Sequence, residues 1–438
     1  MTSVTKHVRL LSRIILPLLA AAMSFCLFSC ASALPAGPSE RDIPVDYAGI
    51  VHAGKTKTQV EFDYLEYLNV SWILHTFNWD KIELEPGQWD FKFYDEMVDM
   101  AEQAGIKHLG LLAYDNWFIH SGKKRKKYIP PDKIPLFLEY VRRTVSHYRG
   151  KIDAWCIWNE PNAGFWTGTD KEFYTLTRLT ADAVREVDSE VILMGGAFNR
   201  GIFGLPKKYI RGLFESGSMN NVDAVAFHPY EMNPNRCARL FDKFKEIVDV
   251  YGFGDKIWIT EVGYPTGGWY PTKIPEKKMS SYVIKTCTLL AIRENRALLW
   301  FQLFDPEIRQ PSDSEDFFGL VRSKNNYTSK GAEAFRLCSL YISGTHYSAQ
   351  EPRRENLPKS LAAYYFYGDD TNTLILWNNS PGSKKVRVTL PGTDHAMHNP
   401  DTGAVTAIQA EAGLKVGSMP VFITWKGNES RTVQLSGQ

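Results

Sequence analysis

Ala154-Trp155-Cys156-Ile157-Trp158-Asn159-Glu160-Pro161-Asn162 is the stretch on which the fold turns. Its first five residues are an apolar run of strand type, and a polar pair followed by proline stops it at once. A second stretch has the same build: Ile257-Trp258-Ile259-Thr260-Glu261-Val262 ends at Gly263-Tyr264-Pro265. Each run carries a glutamate to the carboxyl end of a strand. Outward from these two, further strands are expected at residues 47–52, 70–76, 108–114, 191–197, 224–230 and 298–304. Amphipathic stretches at 94–104, 134–148, 171–187, 236–251 and 277–295 lie between them. Strands alternating with helices predict a parallel sheet. Eight of them predict closure into a (β/α)8 TIM barrel over residues 46–345. The alternative is an open doubly wound sheet, which is weakened because no glycine-rich phosphate loop follows the first strand.

Beyond residue 346 the pattern changes. Runs at 361–367 and 373–377 flank the turn Gly368-Asp369-Asp370-Thr371-Asn372, and short runs follow at 385–390, 404–408 and 421–425. This predicts a small all-β sandwich domain over 346–438.

The bulk composition narrows the function. The chain has 438 residues, 44% of them apolar, and a formal net charge of +2. That supplies a large core but not the concentrated basic surface that nucleic acid requires. The 12 Trp and 21 Tyr suit either a core of large side chains or a groove in which flat rings stack on sugars. Six cysteines show no CxxC and no paired histidines, which argues against a zinc framework and against a dense disulfide scaffold. Lys6, His7, Arg9 and Arg13 precede an apolar run at 14–28 and then small residues, the build of a secretory signal over residues 1–30. The run is shorter than the ~20 residues of a membrane span. Leu27-Phe28-Ser29-Cys30 reads as a lipobox with Cys30 as the lipidated residue, and Ala31-Ser32-Ala33 reads as an ordinary cleavage site. Residues 31–45 then form a linker. A secreted or envelope-anchored monomer is expected, held to the membrane by lipid if Cys30 is acylated.

Catalytic groups of (β/α)8 barrels sit at the carboxyl ends of the strands, and strands four and seven face each other across the mouth. A single glutamate at a strand end is more readily a salt bridge or a cap; two on opposed strands point to chemistry. Glycoside cleavage needs such a pair, one carboxyl protonated and one ionised. The flanks Trp155, Trp158, Phe165 and Trp166 are expected to raise Glu160 by desolvation, while Tyr230 is a candidate donor to keep Glu261 ionised. Lys123-Lys124-Arg125-Lys126-Lys127, after strand three, is a solvated loop or an attractor of acidic polysaccharide.

Asn159-Glu160-Pro161 after strand four, with Glu261 closing strand seven, resembles the clan A glycoside hydrolases, and families 39 and 5 most. Phe77-Asn78-Trp79, Glu85-Pro86-Gly87 and Tyr94-Asp95 resemble their second barrel loop, so the likeness covers most of residues 46–345. The resemblance implies a retaining hydrolase of β-linked oligo- or polysaccharides that works by double displacement without metal or cofactor. Glu160 would be the general acid/base and Glu261 the nucleophile. It implies that Asn159 binds the sugar 2-hydroxyl, that His228 and Tyr230 flank the nucleophile, that Trp300 is a stacking floor and that Trp79 belongs to the substrate site. One position departs from the family: the strand-two arginine is replaced by Leu74, so either the adjacent His75 supports Glu261 or that support is missing. A non-catalytic glycan-binding lipoprotein and a transglycosylase are the alternatives.

Overall fold

The computed structural model describes residues 40–51, 59–122, 124–201, 204–269, 273–322, 331–427 and 432–437. The expected signal segment and Cys30 lie outside the described residues.

Eight parallel strands close into a barrel: β1 (Ala48–Val51), β2 (Trp72–Asn78), β3 (Lys107–Ala113), β4 (Ala154–Ile157), β5 (Ile192–Asn199), β6 (Ala224–His228), β7 (Ile257–Val262) and β8 (Leu298–Phe301). Closure comes from β8 pairing in parallel with β1, Leu298 opposite Ala48 and Phe301 opposite Val51. Among the described residues, eight helices of nine or more residues follow these strands: α1 (Gln59–Tyr67), α2 (Lys92–Gln103), α3 (Ile134–His147), α4 (Asp170–Val187), α5 (Lys207–Glu215), α6 (Pro234–Asp249), α7 (Met279–Ala291) and α8 (Ala332–Ile342). No described helix is long and apolar enough to cross a membrane. Local chemistry sets several helix starts. The Thr169 side chain accepts from the Glu172 N–H, and the Glu172 carboxylate accepts from the Thr169 N–H at 2.7 Å, a reciprocal cap on α4. Asn233 caps α6 one way only, its side chain accepting from the Arg236 N–H, with Pro234 at the first helical position.

Alternation along the strands separates two buried environments. On β2, Leu74 and Thr76 face the barrel mouth, whereas His75 and Phe77 face outward to the helix layer. The Phe77 ring meets Tyr94 of α2 at 4.6 Å and Trp155 at 5.0 Å. Trp155 in turn lies across Gly110 of β3, where a Cβ would overlap its ring. Glycine at 110 is thus set by a close approach rather than by a turn.

The last fifth of the chain is strand, as expected, and builds two sheets, the first antiparallel and the second mixed, with Arg353–Glu355 running parallel to Gln434–Gly437. One contains β9 (His346–Ser348), β11 (Leu361–Tyr367), β12 (Thr371–Asn378), β14 (Thr393–His398), β15 (Val405–Ala407) and β17 (Val421–Lys426). The other contains β10 (Arg353–Glu355), β13 (Lys384–Thr389), β16 (Glu411–Val416) and β18 (Gln434–Gly437). Leu361, Ala363 and Tyr365 point to a core shared with Val386 and Val388 of the second sheet. Their alternates Ala362, Tyr364 and Phe366 join the core of the barrel. The stretch read as a linker is partly built in: Arg41–Asp42 pairs antiparallel with β9, and Ile43 is buried. Its described residues are therefore docked rather than tethering, because a backbone edge and an apolar pocket were free to take them.

Gly110→Ala is expected to lower unfolding stability by about 1–3 kcal/mol, the cost of forcing an atom into a packed core. Urea or thermal unfolding at neutral pH would show it; an unchanged midpoint would mean that Trp155 moves freely.

Candidate active site

A cavity of about 250 Å³ opens at the carboxyl ends of the barrel strands. Every strand contributes to it, from Val51 at the end of β1 and Thr76 of β2 to Asn199 of β5 and Phe301 of β8. Asn159, Glu160, Tyr230 and Glu261 all line it, so the structure brings these four expected site residues together.

The turn after β4 aims Asn159 and Glu160 inward. Trp158 and Glu160 both have left-handed backbones, at φ +62° and +38°. Such conformations cost non-glycine residues about 1–3 kcal/mol each and persist only where the surroundings impose them. Here the Trp158 indole N–H donates to the Phe165 carbonyl at 2.8 Å, and the Glu160 N–H donates to the Ala197 carbonyl at 3.1 Å. Asn159 and Tyr114 both line the cavity wall.

His228, fully buried at the end of β6, joins the two glutamates. Its Nδ1 lies 2.8 Å from Glu160 Oε1 and 3.5 Å from Glu261 Oε2, and its Nε2 lies 2.9 Å from Thr260 Oγ1. Burial works to lower the His228 pKa, but the Glu261 charge and the Glu160 hydrogen bond outweigh it, and the pKa is raised. Asn199 donates to the same Glu160 oxygen at 2.8 Å. Tyr230 donates to Glu261 Oε2 at 3.0 Å, and burial beside that carboxylate holds its phenol protonated. Despite the Tyr230 hydrogen bond, Glu261 is raised to about 7, by burial first and by the Glu160 charge, against the opposing pull of His228 and Tyr230.

One donor atom each from Glu160, His228 and Glu261 lies within 4.8 Å of the others. That is close enough to share a small cation as well as a proton. Both ring nitrogens of His228 already have hydrogen-bond partners, which fits proton sharing.

Three sequence expectations are corrected. His75 does not reach Glu261; it faces the helix layer, its Nδ1 2.7 Å from His108 Nε2, because it sits one residue out of phase with the inward Leu74 and Thr76. Leu74 does line the cavity, so no guanidinium stands on β2, and His228 and Tyr230 supply the polar support that is present. Trp300 is wholly buried on the outer face of β8, its ring 6.1 Å from Tyr264 and 6.3 Å from Phe335, and the next residue, Phe301, lines the cavity instead. Trp79 is wholly buried too, donating to Glu83 at 2.7 Å and stacked on Tyr140. It shapes the second loop from behind.

Sequence reasoning missed Asn199, Tyr114, Phe301, Phe318 and Glu315 as cavity residues. Asn199 ends β5 and was within reach of the strand-end rule. Glu315, on the loop after β8, is a third carboxyl at this cavity and is exposed to solvent. In the basic run, Lys123 lies outside the described residues. Arg125 is 3.4 Å from Asp80, and the Lys127 ammonium lies 4.1 Å over the Phe165 ring.

The raised Glu261 carries a stability cost. Its folded pKa of about 7 exceeds the unfolded value near 4.3. The site is therefore relaxed below the unfolded value and loses stability as pH rises through the folded one. Glu261→Gln, which can still accept from Tyr230, should melt higher than the parent at about pH 8, with the gap closing near pH 5. Equal melting shifts at both pH values would show that Glu261 ionises without cost.

The chain matches known proteins in two ways. By sequence, it is 31% identical over 129 residues to a beta-xylosidase of Caldicellulosiruptor saccharolyticus, covering 26% of each chain. It is 34% identical over 87 residues to a beta-1,4-xylanase of Dictyoglomus thermophilum, covering 19% of this chain and 23% of that protein. The matched stretches span about a quarter of these curated relatives. No protein-family model matches. By structure, it resembles a family 39 glycoside hydrolase of Bacteroides cellulosilyticus with TM-score 0.69 at 17% identity, over 88% of this chain and 81% of that one. A family 39 beta-xylosidase of Caulobacter crescentus gives TM-score 0.62 at 16% identity, over 90% and 98%. A family 30 xylanase of Clostridium acetobutylicum gives 0.61 at 10% identity, over 89% and 98%. In fold, the chain is therefore similar to glycoside hydrolases of families 39 and 30.

Proposed function

We propose that the chain is a retaining hydrolase of β-linked glycans, with Glu261 as nucleophile and Glu160 as general acid/base. The observation that carries this reading is the pair of carboxylates, within 4.8 Å of each other through their nearer oxygens and joined by His228, at the open end of the barrel. Retaining glycosidases hold their two carboxyl groups about 5–5.5 Å apart, whereas inverting ones leave room for a water. The sequence relatives named for β-xyloside and β-1,4-xylan cleavage support a β-linked substrate.

In the first step an oxygen of ionised Glu261 bonds to the anomeric carbon. The bond to the departing oxygen breaks, and that oxygen takes the proton of Glu160. In the second step Glu160, now a carboxylate, removes a proton from water as the water oxygen displaces Glu261. His228 sits between the two carboxylates and suits a proton that moves among three groups. Tyr230 holds Glu261 Oε2 and leaves the other oxygen for attack.

The same residues would serve a transglycosylase, with a sugar hydroxyl in place of water. Leu74 favours the non-catalytic alternative, since no cation on β2 lowers Glu261. Covalent labelling of Glu261 by a fluoro-sugar would reject it. The two C-terminal sheets we read as a sandwich domain that supports the barrel. Export and lipidation at Cys30 remain our reading of residues 1–33 alone.

Aryl β-glycosides provide the test. Glu160→Ala and Glu261→Ala should each lower kcat by about 10³-fold or more. Azide should rescue Glu261→Ala as an α-glycosyl azide and Glu160→Ala as a β-azide; the reverse would exchange the roles. Because Glu261 must be ionised, kcat/KM should fall as pH drops below about 7. A flat profile down to about pH 5 would remove Glu261 as nucleophile. A chelator should leave the rate unchanged, and its loss would assign the Glu160–His228–Glu261 group to a metal.

A further inference from the structure

Two features at the mouth take no part in the scheme above. Glu315 lines the cavity, and among the described residues no group donates a hydrogen bond to its carboxylate; only its backbone carbonyl accepts, from Gln302 at 3.1 Å. Trp269, on the loop after β7, is 83% exposed, the most exposed aromatic side chain among the described residues. A single exposed aromatic needs no explanation of its own; this one is distinguished by the carboxylate that stands beside it.

The two are neighbours by construction. The β7 loop and the turn that carries Glu315 are sewn together. The Thr266 N–H donates to the Phe317 carbonyl at 3.0 Å. A side chain at Gly267 would strike the Phe317 ring, and one at Gly268 would strike the backbone of Ser314, the residue before Glu315. Gly268 also has φ +72°, which suits glycine. Lys273 donates to the Gly268 carbonyl at 3.4 Å. The loop that presents Trp269 is thus pressed onto the turn that presents Glu315, and neither side chain is used to hold that seam.

We propose that Trp269 and Glu315 form a second sugar subsite, continuous with the cleavage cavity, that binds a neutral pyranose unit of a longer chain. A pyranose has an apolar C–H face and a rim of hydroxyls. The electron-rich face of an indole takes the first, and an unpaired carboxylate accepts hydrogen bonds from vicinal hydroxyls. A uronate unit would meet the charge of Glu315 and be disfavoured. The inference rests on the glycan-hydrolase reading for the identity of its ligand, and it makes a chain, rather than a single terminal sugar on a small aglycone, the preferred substrate.

Binding and turnover separate the two readings. Glu160→Gln serves as the parent for binding, measured by calorimetry with ladders of neutral β-linked xylo- and gluco-oligosaccharides. Affinity should rise with chain length. Trp269→Ala should remove about tenfold of that rise, Trp269→Phe should keep most of it, and Glu315→Gln should lower affinity for the long members only. In the wild-type background, the ratio of kcat/KM on a long chain to that on an aryl monoglycoside should fall about tenfold with Trp269→Ala. Binding that does not grow with length in the parent, or a ladder identical in Trp269→Ala, overturns the subsite even if aryl glycosides are hydrolysed. A normal ladder in a protein that hydrolyses no glycoside leaves the subsite standing and overturns the hydrolase.

Discussion

Two carboxyl groups buried close together repel each other whenever both are ionised, and the site is built around that constraint. The imidazole of His228 lies between them, nearer Glu160 than Glu261, and Thr260 fixes its other nitrogen. The cluster is therefore a proton-sharing unit rather than two independent acids. Its macroscopic titration belongs to all three groups. The rest of the mouth serves this unit: Tyr230 holds Glu261, Asn199 holds Glu160, and the strained turn at Trp158 and Glu160 is kept in place by bonds to β5 and to its own loop.

The barrel was legible because parallel strands buried on both faces read as short apolar runs, and the breaks between runs are sharp. All eight strands lie within three residues of where those runs place them. Glu160 and Glu261 were legible for the same reason, since a strand end is easy to find. Strand parity was harder. Trp300 and Phe301 are both large aromatics at one strand end, and only the register against Ile50 and Val51 decides which faces inward. His75 failed in the same way beside Leu74. A one-residue shift exchanges the two faces of a strand, and an apolar run carries no mark of its phase. Helices α1 and α5 are only nine residues long and α8 is buried along most of its length, so each offers less periodic pattern to read than the longer helices, although α5 does carry a clear polar face.

Glu315 and Trp269 were invisible for another reason. Both stand on loops, whose path depends on contacts between segments distant in sequence. Nothing in the local pattern around either residue announces the seam between them. Composition did predict the surplus of aromatic residues, but most of it went to the core: Trp72, Trp79, Trp155, Trp158, Trp300, Trp377 and Trp425 are all fully buried.

Arg41–Asp42 pairs with His346–Ser348, so the first described strand is completed by residues some three hundred positions later. The same sheet turns one face to the barrel core through Ala362, Tyr364 and Phe366. A boundary drawn at residue 346 is therefore one of pattern and not of cooperativity. On a ribosome, the barrel segment would emerge with an unfilled edge and an uncovered apolar face, and would wait for the last hundred residues before either was satisfied. A polypeptide stopped before residue 346 would leave that edge and that face uncovered, the kind of surface on which chains aggregate or are degraded.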